Sequence, residues 1–409
     1  MVIPRSLFQE IGKYLHSRQA IVVTGMRRVG KTTLLQYFYE KIPSSNKIFL
    51  DLEDPLNQAI FEPDNYQRIK TAFELRGLDF SQKAYIFLDE IQLVPKIPSL
   101  VKYFYDHYDI KFFLTGSASF YLKNLFSESL AGRKYLFELY PLDFSEFLLF
   151  KGLNLKLPDF SQQVDKQTYE LFSPQVSEYL ELGGMPEVVL LSSQEEKQRA
   201  LRDIFSSYFQ KEIEVLGDFR KNETVRNLIF LLARRTGQKL DIQRISQELG
   251  IARQTLYEYL DFLSGTYLVS LLPALGKIDV SVRKQKKVYF IDSGFFSILE
   301  KPLFGSVFEN AVFNNLRSYE NIYYFSQDNQ EVDFVVKLPS FQKVVFEVKE
   351  TATISDIKKL EKRGKRLVTK TAFVVSFNFC REKEVKYLFQ IPKLRTYYLT
   401  RPSARVVIL

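Results

Sequence analysis

The alternation of apolar and polar positions divides this 409-residue chain into three stretches of different character. The first consists of short apolar runs that end in polar turns. Ile21, Val22 and Val23 form a β-branched run that breaks at Gly25, which predicts a buried strand, and TTLLQYFYEKI behind it has the repeat of an amphipathic helix. The runs KIFLDLED from Lys47, AYIFLDEIQ from Ala84, KFFLTGSASF from Lys111 and then YLFELY repeat the strand-then-turn form. Strands alternating with helices predict a parallel α/β sheet over residues 1–150.

The middle of the chain reads as helical. GLNLKLPDFSQQ, from Gly152 to Gln163, has the composition of a linker. QVSEYLELGGMPEVVLL predicts a helix stopped at Gly183 and Gly184 and a second helix started by Pro186. Helical patterns continue through LRDIFSSYFQKEIEVLGDF and TVRNLIFLLARRTG. ISQELG, a turn at Gly250, RQTLYEYLDFL and a strand from YLVSLL follow in the order of a winged helix-turn-helix.

The last stretch returns to α/β. KVYFIDSGFF from Lys287 is expected to open a new region, followed by SVFENAVFNNLRSY as an amphipathic helix carrying Glu309. EVDFVVKLPSFQKVVFEVKE then predicts two strands around a turn. A hairpin symmetric about Ser340 sets Asp333 opposite Glu347 and Glu331 opposite Lys349. Like charges face to face are destabilising unless a cation or a proton lies between them, so a divalent metal site is expected there.

Composition adds little to this until charge is considered. Net charge is +9, which suits a polyanionic partner, and the densest patch, Lys358, Lys359, Lys362, Arg363, Lys365 and Arg366, is either such a surface or a solvated helix face. A single cysteine, Cys380, excludes an intramolecular disulfide and is expected in the core. The start, MVIPRSLFQE, has no apolar leader, and no stretch reaches the roughly 18 apolar residues of a spanning helix, so a cytoplasmic protein with no membrane partner is expected.

The chemistry concentrates at two places. The loop from Gly25 to Thr32 is a phosphate-binding loop, with glycines that let backbone N–H groups point inward at the start of a helix. Lys31 is placed to reach the β- and γ-phosphates of ATP and Thr32 to ligate Mg²⁺; Gly25, Arg28, Gly30 and Thr33 complete the expected nucleotide contacts, Thr33 being read as helix packing rather than as a second metal ligand. Asp89 at the tip of its strand is expected to hold Mg²⁺ through water, and Glu90 to orient or deprotonate the attacking water. Thr115 or Ser117 could sense the γ-phosphate or simply cap a turn, and Arg133 could serve as an arginine finger, in cis or from a neighbouring subunit, or lie on the surface. Arg253, Gln254, Thr255 and Tyr257 at the start of the presumed recognition helix, with Arg283 and Lys284 in the wing, would suit duplex DNA; winged helices also serve as packing modules.

IVVTGMRRVGKTT, YIFLDEIQ, FFLTGSAS and SESLAGRKYLFELYPLDFSEF, in this order, resemble the prokaryotic AAA-like, STAND-related P-loop ATPases, and GGMPEVVL resembles the start of their usual C-terminal partner. The resemblance gives Gly25, Gly30, Lys31, Thr32, Asp89 and Glu90 the ATP and Mg²⁺ contacts and Arg133 the GR position; Met26 stands where the family often has proline. The late hairpin resembles the PD-(D/E)XK nuclease-like fold, which implies Asp333, Glu347 and Glu309 as metal ligands and Lys349 as the catalytic lysine, with Val332 in place of the usual proline. The expected architecture is α/β multidomain: an AAA-like P-loop domain at 1–150, a linker and helical region at 151–225, a winged helix at 226–286 and a restriction-endonuclease-like domain at 287–409. The expected function is Mg²⁺-dependent ATP hydrolysis coupled to DNA, with cleavage, or alternatively an ATP-gated switch whose partner is a protein or another copy of the chain and whose nuclease-like domain is an inactive scaffold.

Overall fold

The computed structural model describes residues 2–117, 132–216, 222–276, 285–319, 321–328, 330–338, 342–369 and 371–394. They pack as two units, one from the described residues of Met1–Tyr140 with Gly265–Tyr267, the other from those of Pro141–Ser264 and Leu268–Ser403.

The first unit is built on β1 (Ala20–Thr24), β2 (Lys47–Asp51), β3 (Ala84–Asp89), β4 (Ile110–Gly116) and β5 (Lys134–Glu138). They form one parallel sheet in the order β2-β3-β4-β1-β5. Every residue of β1 and β4 is buried, which is why both read as unbroken apolar runs. The helix Lys31–Lys41 covers the sheet through Phe38, whose ring stacks on Phe113 at 5.9 Å while Phe113 stacks on Phe87 at 4.4 Å. The parallel arrangement brings Gly25, Glu90 and Ser117 to the same edge, just beyond the C-terminal ends of β1, β3 and β4.

At the opposite edge Lys111 is buried at the start of β4. Its ammonium donates to the carbonyls of Tyr14, Ser17 and Gln19 and to the Ser17 hydroxyl at 2.6–3.0 Å, fixing the chain that leads into β1.

In the second unit the helix Lys166–Leu182 stops at Gly183, and Pro186 starts the next helix, as the sequence predicts. The linker-like stretch before it is not free: Leu157, Phe160 and Val164 are buried, and the Phe160 ring meets Phe346 and Phe373. The helices Ile242–Leu249 and Arg253–Gly265, joined through a left-handed Gly250, lead into β6 (Val269–Leu272). β6 pairs antiparallel with β7 (Lys287–Phe290), so the strand expected to open the C-terminal domain instead closes a ribbon with the strand before it.

The remaining strands are β8 (Ile322–Gln327), β9 (Gln330–Lys337), β10 (Lys343–Lys349), β11 (Thr371–Ser376) and β12 (Val385–Lys386). β8, β9 and β10 are antiparallel, and β10, β11 and β12 parallel, in one sheet. Helix Phe304–Leu316 is not amphipathic but buried nearly all round. Its asparagines satisfy backbone elsewhere: Asn310 Oδ1 accepts from Phe290 N at 2.7 Å while its Nδ2 donates to Phe290 O at 3.0 Å, and Asn315 Oδ1 accepts from Phe144 N. Cys380 lies half-buried beyond β11 rather than in the core. On helix Ile354–Arg366 the basic residues form an exposed face, except that Arg363 turns in to Glu347.

Candidate nucleotide site and a salt-bridged acidic centre

The loop after β1 is shaped by two glycines. A Cβ on Gly25 would stand 2.1 Å from the Leu139 carbonyl oxygen, so no other residue fits the close approach, and Gly30, at φ +98°, caps the helix in a conformation that favours glycine. Lys31, the first residue of that helix, is buried and curls back over the loop, its ammonium donating to the carbonyls of Gly25 at 3.0 Å and Met26 at 3.1 Å. Glu90 Oε1 lies 3.9 Å from the same ammonium.

Asp89 and Glu90 have different environments although they are neighbours. β4 lies between β1 and β3, so Asp89 reaches the loop helix across a strand: Thr32 Oγ1 donates to Asp89 Oδ2 at 2.5 Å, and Thr115 of β4 donates to Oδ1. Burial holds the Asp89 carboxyl above the usual carboxylate range despite these two hydrogen bonds. Burial also pushes Glu90 up, but the Lys31 and Arg27 charges and a hydrogen bond from Gln92 outweigh it, leaving Glu90 below its ordinary value. Glu90 takes a left-handed backbone, φ +54°, which turns its side chain out of the strand direction. Gln92 Nε2 donates to Glu90 Oε2 at 2.5 Å and to Ser117 Oγ at 2.9 Å. Gln92 thus positions Glu90, a role the sequence did not suggest although the residue stands in the same motif.

The remaining expected residues fall as follows. Thr115 is engaged with Asp89, so its hydroxyl supports the carboxylate instead of facing open space, and Ser117 is buried against Gln92. Thr33 is exposed rather than packed, and Arg28, at φ +66°, is exposed on the loop. Arg133 precedes β5 at the sheet edge opposite the loop, held by Asp106 at 2.9 and 3.2 Å. The five residues of β5 separate it from the loop by ~16 Å at ~3.3 Å per residue, which rules out a finger role within the same chain.

In the second unit β9 and β10 pair from Lys343 opposite Lys337 to Phe346 opposite Phe334, the register that leads to Asp333 beside Glu347. Asp333 Oδ2 accepts from Val348 N at 2.9 Å, and Lys349 donates to Glu347 at 2.9 Å. Glu309 joins them. Burial, with Asp333 next, pushes its carboxyl up to about 7, and the same two causes raise Glu347. The expected metal ligands are therefore neighbours, yet among the described residues no group of three or more His, Cys, Asp or Glu side chains is arranged to hold a metal ion. The physical reason is Lys287, whose ammonium lies among Glu309, Glu331 and Asp333. Glu331, expected opposite Lys349 as a cross-strand pair, is instead bound by Lys287 and Lys239.

At the helix pair, Arg253, Gln254 and Tyr257 are exposed and Thr255 is half-buried. Arg283 and Lys284 lie outside the described residues. No helix among the described residues is long and apolar enough to cross a membrane.

Comparison with known proteins matches three stretches of the chain to family models. Residues 173–302 match a domain of unknown function, DUF8612, and residues 304–394 another, DUF4143. An uncharacterized protein of Methanocaldococcus jannaschii is 29% identical over 361 residues, covering 85% of this chain and 79% of that protein. One from Haemophilus influenzae is 26% identical over 375 residues, 87% of this chain and 90% of that protein. Among solved structures, the Walker-type ATPase of Pyrococcus abyssi aligns over 72% of this chain and 94% of its own at 17% identity, with a TM-score of 0.43. A STAND protein with a tetratricopeptide repeat sensor from Pyrococcus horikoshii aligns over 78% of this chain and 45% of its own at 14% identity, with a TM-score of 0.29. Residues 17–148 match the model of an AAA domain, and the loop, the parallel sheet and the Asp89–Thr32 contact lie within them: this part of the chain is similar to the P-loop ATPase domains of the AAA type.

Proposed function

We propose that this chain is a Mg²⁺-dependent ATP hydrolase that works as a nucleotide-gated switch. The observation that carries the reading is the convergence of Lys31, Thr32, Asp89 and Glu90 at one sheet edge, with Thr32 and Asp89 2.5 Å apart. The hydroxyl and carboxylate are hard oxygen donors, which fits them to hold Mg²⁺. When bound, that ion supplies positive charge against the β- and γ-phosphates. Lys31 leaves the Gly25 and Met26 carbonyls to meet the phosphates, and Glu90, kept ionised by Lys31 and Arg27 and aimed by Gln92, accepts the proton of the attacking water.

Tyr267 supports the switching part. It belongs to the first unit, although the helix before it and the strand after it build the second, and its hydroxyl shares a 2.5 Å hydrogen bond with Thr24, the residue before the loop, and donates to Glu138 at 3.2 Å. Lys31→Ala removes the phosphate-binding ammonium; phosphate release is expected to fall to background with the thermal midpoint retained, and persistent hydrolysis by the variant overturns the reading.

A second reading, DNA contact, is favoured by the exposed Arg253, Gln254 and Tyr257 at the start of a helix that follows a short helix and a tight turn and precedes a two-stranded ribbon. Filter binding with a salt titration tests it: affinity should fall steeply with the logarithm of salt. Absence of binding at low salt in both nucleotide states removes it and leaves a protein partner for the switch.

A further inference from the structure

The acidic centre of the second unit carries its own cation. Lys287 opens β7, and 3% of its side chain is exposed. Its ammonium lies 2.8 Å from Glu331 Oε1, 3.2 Å from Glu309 Oε1 and 3.3 Å from Asp333 Oδ1. An ammonium has three N–H donors and no acceptor, and here three carboxylates surround it. The carboxylates are otherwise engaged as well. Tyr289 donates to Glu309 at 2.7 Å, Val348 N to Asp333 at 2.9 Å, and Lys239 binds the other oxygen of Glu331 at 2.6 Å. Glu347 is held by Lys349 at 2.9 Å and Arg363 at 3.1 Å.

Among the described residues, formal charge therefore balances at this centre. Four carboxylates, Glu309, Glu331, Asp333 and Glu347, face four cations, Lys239, Lys287, Lys349 and Arg363. A divalent ion added to this set has no uncompensated negative charge to meet, and the point between Glu309 and Asp333 is filled. Withdrawing Lys287 alone would leave buried carboxylates unpaired, an arrangement far costlier than the intact cluster.

We propose that Lys287 is the resident counter-cation of this centre, standing between Glu309 and Asp333 so that the native chain takes no divalent metal there. This goes beyond the nucleotide reading and does not depend on it. The layout of carboxylates that suggests phosphodiester cleavage is then a scaffold whose cation is covalently part of the chain. Removing the ammonium while keeping an apolar stem, Lys287→Met, turns the same carboxylates into a ligand set with unmet negative charge.

The test is Mn²⁺ binding to the full chain without nucleotide, read from the loss of the free-ion EPR signal. Binding is assigned to this centre by its disappearance in Asp333→Asn. Wild type and Asp333→Asn should bind Mn²⁺ alike; Lys287→Met should bind an additional Mn²⁺ that Lys287→Met/Asp333→Asn loses. Mn²⁺ bound by wild type and lost in Asp333→Asn overturns the proposal, as does a folded Lys287→Met with no added binding. If Lys287→Met fails to fold, the wild-type comparison still decides, and Lys287→Arg, which keeps the charge, should fold and bind no more Mn²⁺ than wild type; added binding by Lys287→Arg also overturns the proposal. Phosphate release from ATP reports on the other unit, so the two readings fail separately.

Discussion

Glu90→Gln should separate ATP binding from turnover. Glu90 Oε1 and Lys31 Nζ are 3.9 Å apart with side chains 11% and 3% exposed. At an effective dielectric constant of ~20 such a pair attracts by about 4 kcal/mol. A triphosphate entering the loop must draw Lys31 away from that carboxylate and bear its repulsion. The amide has the same shape, can still meet Gln92 and removes both effects. The Gly25 and Met26 carbonyls continue to hold the ammonium, so only part of the attraction is released; a gain of about 1–2 kcal/mol, or roughly 5- to 30-fold tighter ATP binding, is expected. Turnover should fall by roughly 10²–10⁴, the loss that follows removal of a positioned general base. Equilibrium titration with a fluorescent ATP analogue gives the first quantity and single-turnover phosphate release with Mg²⁺ the second. Weaker binding than wild type, or phosphate release within about threefold of it, would show that Glu90 neither competes for Lys31 nor activates water.

Two further predictions concern buried charge. Asp292 is enclosed with its carboxylate accepting from Gly184 N at 2.7 Å and Gly294 N at 2.9 Å, and burial pushes its pKa from 3.8 up to about 6. The folded form thus holds its proton more tightly than the unfolded chain, so this group's contribution to stability is greatest below about pH 4 and declines by about 3 kcal/mol as pH rises to about 6. The thermal midpoint of Asp292→Asn should lack that part of the decline; equal slopes in the two proteins would refute it. Lys111→Met should cost about 2 kcal/mol by taking the Lys111 donor from the part-buried carbonyls of Ser17 and Gln19, the Tyr14 carbonyl keeping the Ser17 N–H and hydroxyl, seen as a lower thermal midpoint; a change under about 0.5 kcal/mol would mean that water replaces the Lys111 amine.

What could be read from the sequence was what is local. The phosphate loop, the helix stops at Gly183 and Gly250 and the register of β9 with β10 each depend on residues a few positions apart, where turn chemistry and side-chain alternation suffice. The misses are long-range. Lys287 stands 46 residues before Asp333 and reads as one more member of a basic run; only the pairing of β7 with β6 and the docking of helix Phe304–Leu316 bring it among carboxylates. Arg133 has a suggestive place in the motif order, but the sheet order, not the motif order, decides which edge it occupies. Helix Phe304–Leu316 looked half-polar because asparagine counts as polar, whereas here its amides serve as internal partners for other segments.

Asn310 shows what such an amide does for the architecture. β7 has β6 on one side; on the other the backbone of Gly237, Gln238 and Leu240 bonds to Lys286 and Val288, with Lys239 bridged to Lys287, and this short pairing stops before Phe290, whose N–H and C=O an edge strand ordinarily leaves ready to recruit a foreign chain. The amide of Asn310 offers Phe290 one acceptor and one donor, the pair that a neighbouring strand would offer, and the Thr236 hydroxyl binds the same oxygen at 2.8 Å. A single side chain therefore carries the pairing of that edge one step past the Gly237–Leu240 segment, and it ends the ribbon at the point where intermolecular sheet growth would otherwise begin.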